Sequence, residues 1–283
     1  MSDVLTIAAY ALRESLRRRV FVVVALLTVA FLFLYRLAAN KAFEETEGVF
    51  PPAGVEAETL VGATLVGLAM FATLFLGTVL AVFLTLGAVR GDAERGLLQP
   101  LVVRPLGRTT FLLGRFAGAA SVCAAYVAVV YFAVLLLTRS AGGWVPDQVL
   151  APALELAAAV SLLVALSLLG SVLLSSTANG IAVFMLFGAG LVGGLLGQIG
   201  EGISSPTLER VSERTSWALP FEALYQDGLQ RLTSDSRGLT RFAVELGPFG
   251  GGQEYSSWLP WWAAFYLAVV LALAALAFAR RDL

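Results

Sequence analysis

Glu155 is the only carboxylate inside any long apolar run of this 283-residue sequence. An acid in such a place admits two readings. One is a proton-carrying group at membrane depth. The other is an acid in the first turns of a helix, where it meets the positive dipole end and reaches the interface. Its position, three residues after Pro152 at the start of the run 150–174, favours the second. Other chemistry is scarce. Without histidine, a Ser/His dyad and an HExxH zinc site are impossible. The single cysteine, Cys123, falls in an apolar run and reads as a small packing residue with no intrachain disulfide partner. No Asp lies within an apolar run, which removes an intramembrane aspartyl pair. No metal site or resident cofactor is expected. The GxxxxGK[ST] phosphate loop is also absent. The expectation is a chain with no catalytic residues, whose work is supplied from outside.

The elements that would receive that work are apolar spans. The sequence is 58% hydrophobic and 14% charged, against about 25% charged in an ordinary soluble domain. Runs of about 20 apolar residues identify helical spans and not ten-residue barrel strands. The predicted fold class is an all-α integral membrane protein, read as a single transmembrane domain over 1–283. Six spans are expected at 20–39, 60–89, 111–138, 150–174, 181–199 and 259–279. A surface helix over 1–19 precedes them, with Val4, Leu5, Ala8, Leu12 and Leu16 on one face. Its Arg13, Glu14, Arg17, Arg18 and Arg19 would contact membrane lipid or a cytoplasmic partner, and both readings stand. Thr64, Thr73, Thr78 and Thr85 in the second span would bond backbone carbonyls or neighbouring helices, or line a substrate path. Ser175–Gly180 reads as a tight turn. Gly190, Gly193, Gly194 and Gly197 form two GxxxG pairs, for packing within the chain or at a dimer interface. In the polar segment 200–257, Leu219–Leu229 reads as a short amphipathic helix with Phe221, Leu224, Tyr225 and Leu229 on one face. Trp144 and the Trp258, Trp261, Trp262 cluster suit an interfacial belt.

Six spans put both termini on one side. The 1–19, 90–115 and C-terminal flanks carry 11 Lys/Arg against 5 Asp/Glu, and the other flanks 8 against 14. The positive-inside rule therefore predicts a multi-pass protein of the cytoplasmic membrane with both termini and the 90–110 segment inside, and 200–257 extracytoplasmic.

The inner stretch Arg90–Gly118 carries five arginines, two acids and two prolines. Its ordered residues, Gly91-x-x-Glu94-x-Gly96-x-Leu98, Arg104-Pro105-Leu106-Gly107-Arg108 and Leu112-Leu113-Gly114-Arg115-Phe116-x-Gly118, resemble the motif of ABC type-2 transporter permeases. That motif runs close to GEREEGTLDLLLSRPVSRxxxLLGKFxG without gaps. The span layout matches over the whole chain. The resemblance implies the permease subunit of an exporter, with a coupling helix docking on a separate cytoplasmic ATP-binding subunit. It implies two such subunits holding ATP and Mg, and a second permease, a homodimer in the simplest case. Glu94, Gly96, Leu97, Leu98, Pro100, Leu101, Arg104, Pro105 and Arg108 would form the docking surface. Two departures stand out: Leu97 replaces the usual Thr, and Pro100 replaces a helix former. Proline at 100 confines a docking helix to Pro100–Arg104. A non-transporting scaffold, or a subunit transmitting force to an extracytoplasmic partner through 200–257, is the alternative. No nucleic-acid partner is expected.

Overall fold

The computed structural model describes residues 19–46, 56–86, 107–234, 252 and 255–280. The surface helix 1–19, except Arg19, and the coupling segment 90–110, except 107–110, lie outside the described residues. Among those described there are eight helices: α1 (Arg19–Thr46), α2 (Ala57–Thr85), α3 (Arg108–Gly142), α4 (Leu150–Leu173), α5 (Ser176–Gly202), α6 (Pro206–Ala218), α7 (Pro220–Gln230) and α8 (Leu259–Ala279). Six of them, α1 to α5 and α8, are long and apolar enough to cross a membrane. The chain is thus an all-helical, multi-pass membrane protein.

The six long helices alternate in direction. One end of the bundle carries the α1–α2, α3–α4 and α5–α8 connections, and α6 and α7 cover it; we call it the cap end. The other, the terminal end, carries the beginnings of α1 and α3 and the end of α8. Side chains tie each end together. Phe43 of α1 lies against Gly142 of α3, and Trp144 lies against Gly62 of α2, each where a β-carbon on the glycine would stand. At the terminal end, Phe111 of α3 meets Phe278 of α8 with ring centroids 6.3 Å apart.

Helices α2 and α4 form the inside of the bundle. Their apolar windows are 67% and 61% buried, whereas those of α1 and α8 are 17% and 22% buried and face outward. Small residues permit the close approach of α2: Gly77 leaves room for Val127 of α3 and Val160 of α4. Polar pairs then fix the order of helices. Thr28 and Tyr35 of α1 pair with Tyr126 and Thr138 of α3 at 2.6 and 2.5 Å. Thr85 of α2 pairs with Ser167 of α4 at 2.5 Å. Such bonds between membrane helices contribute about 0.6 kcal/mol each.

Several element bounds differ from those expected. Helix α1 continues past Ala39 to Thr46, because Phe43 has a buried seat on α3. Helix α3 spans Arg108–Gly142 and not 111–138, ending where Gly143 takes φ 72. Helix α2 runs Ala57–Thr85, beginning three residues before the expected span 60–89, of which 87–89 lie outside the described residues. Ser175–Gly180 is not a turn. Only Leu174 and Ser175 connect α4 to α5, and Asn179 is already helical. Asn179 is buried and donates from Nδ2 to the Ser167 carbonyl at 2.9 Å, which fixes the start of α5 on α4. The last span, Leu259–Ala279, lies where the sequence puts it.

Candidate functional site: a buried polar helix and two apolar grooves

The segment after α5 folds back on the bundle. Ser204 takes φ 52, and Pro206 then opens α6. Pro220 opens α7 in the same way, at a position where a missing N–H costs nothing. The amphipathic helix expected at Leu219–Leu229 is present as Pro220–Gln230, but it has no solvent face. Phe221, Leu224, Tyr225 and Leu229 are buried, and so are Glu222, Gln226 and Asp227.

A helix buried on all sides with two acids needs partners for them. Asp227 finds three. Its Oδ2 accepts from Arg231 Nε at 2.8 Å and pairs with Nη2 at 2.7 Å, and its Oδ1 accepts from the Tyr255 amide at 3.1 Å. Arg231 continues to α4, where its Nε lies 2.6 Å from Glu155 Oε1. Glu155 Oε2 is buried and has no hydrogen-bond partner. Glu155 is therefore a tether point for the cap, in the first turns of its helix.

Glu222 sits on the opposite side of α7, fully buried against α5. Ser216 donates to its Oε2 at 3.1 Å and pairs with the Tyr255 hydroxyl at 2.9 Å. Glu222 Oε1 has no partner. Burial pushes the Glu222 carboxyl up to about 7, against the opposing effect of the Gln226 and Ser216 side chains.

The glycines of α5 receive this cap. Gly190 faces Phe221, Gly193 faces Thr215, and Gly194 faces Glu222 and Gln226; each side chain occupies the space a β-carbon would need. Gly197 is buried one turn beyond Gly193. Phe187 of α5 stacks on Phe221 at 6.0 Å and 13°. On the other side, Trp217 of α6 accepts at its carbonyl from Trp262 Nε1 of α8, at 3.1 Å.

Among the described residues, a first and a second groove open on the helical surface. The first, about 490 Å³, lies between the terminal ends of α2 and α5 and is lined by Val82, Phe83, Leu86, Ile181, Phe184 and Met185 among others. The second, about 570 Å³, lies between α4, α7 and α8 at the cap end. The threonines of α2 line neither. Thr73, Thr78 and Thr85 are buried and donate to the carbonyls of Ala69, Leu74 and Ala81 at 2.7, 2.7 and 2.9 Å.

Of the residues singled out in the sequence, Glu94, Gly96, Leu97, Leu98, Pro100, Leu101, Arg104 and Pro105 lie outside the described residues, as do Arg13, Glu14, Arg17 and Arg18. Arg19 opens α1 and Arg108 opens α3. The residues that sequence reasoning missed are Arg231, Asp227, Ser216 and Tyr255. One signal was present: Asp227 and Arg231 are spaced i,i+4, the spacing of a helical ion pair.

Among the described residues no group of three His, Cys, Asp or Glu could hold a metal ion. The fold is that of a membrane-embedded helical subunit. A family model described as ABC-2 family transporter protein matches residues 5–283, and the chain belongs to that family. It is a membrane permease subunit of an ABC transporter, the transport-side and not the catalytic member, in a class that works with an ATP-binding subunit. No curated protein sequence matches the chain.

Proposed function

We propose that this chain is the permease of an exporter in the cytoplasmic membrane, with both termini inside, that moves an amphiphile using ATP hydrolysed with Mg on a separate subunit. Two ATP-binding subunits would dock on the segment around Glu94–Arg108 of two permease copies. The observation that carries the reading is the position of the α2–α5 groove. Its wall includes Leu86, eight residues before Glu94 in the segment expected to dock. A push on that segment would reach the groove wall through the end of α2. The groove is apolar, which suits a hydrocarbon-bearing cargo better than a small ion.

The test is ATPase stimulation. The chain co-purified with its ATP-binding subunit and reconstituted into vesicles is exposed to a panel of amphiphiles. Stimulation by a subset, abolished by Gly180→Trp, supports the reading. Gly180 lines the groove, and a β-carbon on it meets Leu86 and Val82 at 3.6 Å, ordinary contact, so a larger side chain there is built into the groove. Unchanged stimulation in that variant overturns the groove as the path. Failure to recover any ATPase with the intact chain overturns the permease mechanism proposed here.

A further inference from the structure

Helix α6 carries its charges in columns. At about 100° per residue, Glu209 and Glu213 stand one above the other, and Arg210 and Arg214 stand beside them. All of these residues are exposed, and the opposite face, with Ser212 and Ser216, is the buried one. The order is unfavourable within one helix, where like charges four residues apart repel. Arg210 and Glu213 are the one pair of opposite sign at helical spacing in α6, and they are not joined. The Arg210 Nε donates to the Pro206 carbonyl at 2.9 Å instead. Among the described residues none of these charges has an ion-pair partner.

The direction of α6 decides what those columns fit. Thr215 seats on Gly193 and Leu208 lies beside Gly200, so α6 runs back along the last turns of α5, antiparallel to it. Helix α5 is one of the six spans, so the columns of α6 follow the membrane normal. Two copies inserted the same way are related by a two-fold axis along that normal. Across such an axis two α6 helices run parallel. The rotation then sets the acid column of each opposite the basic column of the other. A two-fold axis lying across the helices would set acid against acid. The pattern is therefore self-complementary in the arrangement that a shared bilayer imposes. A face that met only water would gain nothing from keeping its signs in separate columns.

We propose that the outer face of α6 is a contact between two copies of this chain, with Glu209 and Glu213 of each copy facing Arg210 and Arg214 of the other. This rests on the two-copy reading above and names the surface that meets at the cap end. A contact between helices of 13 residues is smaller than a stable interface needs. Its part is to fix the register of the two copies and to reject mismatched ones, which is what paired charges do best.

The experiment uses the full chain purified with its ATP-binding subunit. Arg214→Lys keeps the charge and offers an amine that a carbodiimide can join to a facing carboxylate. The expected product is a cross-link between copies from Arg214→Lys to the acid column, identified by mixing isotopically light and heavy chains. In a second arm, Glu209→Arg/Glu213→Arg and Arg210→Glu/Arg214→Glu chains carry different tags and are produced together. The expected result is a mixed pair enriched roughly tenfold over its random share, whereas two differently tagged unmodified chains sort at random. Random sorting of the folded double variants overturns the proposal. If those variants do not fold, the charge-conserving Arg214→Lys chain decides alone: no cross-link between copies, or one to another protein instead, overturns it. In both cases pairs still form and the two-copy reading stands. A single permease copy per complex overturns that reading and this contact together.

Discussion

Arg231 Nε lies 2.6 Å from Glu155 Oε1, so the residue just past the end of α7 is tied to the second turn of α4. The same nitrogen serves Asp227 at 2.8 Å. One guanidinium thereby holds two carboxylates from two helices, a geometry that a lysine ammonium does not reproduce.

Arg231→Ala leaves those two acids facing each other with no cation. Removing one partner of a fully buried pair costs about 3–5 kcal/mol, and the 36% exposure of Arg231 places the effect below that range. The expected outcome is a lower Tm in detergent with faster amide exchange confined to 220–230. Arg231→Lys recovers part of the loss. Exchange in 220–230 unchanged by Arg231→Ala would refute the tether.

The α5 glycines differ from one another in a testable way. A β-carbon at Gly194 collides with Glu222, whereas one at Gly188 meets nothing within 4 Å. Gly194→Ala should destabilise the cap by about 1–3 kcal/mol through overpacking. Gly188→Ala should be neutral or stabilising by up to about 1 kcal/mol, the helix-propensity gain. Thermal unfolding of the two variants checks the contrast. Loss of dimers with an intact fold in Gly194→Ala would instead assign that face to a second copy.

Glu222 predicts a pH dependence. Its folded-state value, raised from 4.5 to about 7, means that the folded protein holds a proton the unfolded chain releases earlier. The contribution is present below about 4.5 and is lost as pH rises through about 7, to an extent of about 3 kcal/mol. Tm should therefore fall between pH 5 and pH 8, and Glu222→Gln should flatten that fall. A Glu222→Gln profile parallel to the unmodified one would show that other groups govern it.

The proposed docking segment gives a prediction independent of the cap. Leu98→Asp or Glu94→Ala should abolish substrate-stimulated ATP hydrolysis while leaving the Tm of the permease within about 1 °C, since surface substitutions rarely change stability by more than about 0.5 kcal/mol. Co-purification with the ATP-binding subunit measures the docking directly. Full coupling in both variants would place the docking surface elsewhere.

The spans were legible because twenty apolar residues in a row have few alternatives. Leu259–Ala279 is such a run from end to end. The extension of α1 to Thr46 was not legible, since Lys41, Glu44 and Glu45 signal a loop and only the seat of Phe43 against Gly142 makes the extra turns worthwhile. The start of α5 failed for a similar reason. Ser-Ser-Thr-Ala-Asn-Gly has turn composition, but Asn179 spends its amide on a carbonyl of α4. Helix α7 was legible as an amphipathic helix, but its polar face is buried as well. Its hydrophobic face was plain, and so was Arg231 at i,i+4 from Asp227; the contacts of Asp227 with the Tyr255 amide and of Arg231 with Glu155 come from residues too distant in sequence for any periodicity to reveal. The glycine pairs of α5 had two candidate partners in sequence, and the structure brings α6 and α7 of the same chain against them.

The two-residue connection at Leu174–Ser175 has a consequence for biogenesis. It delivers α5 into the membrane as a hairpin with α4, so the glycine face and Glu155 arrive together. Until both are inserted, Glu222 lacks its seat on α5 and Arg231 lacks Glu155. Closing Arg231 onto Glu155 therefore follows the insertion of α4, and until then Asp227 and Glu155 lack their shared cation.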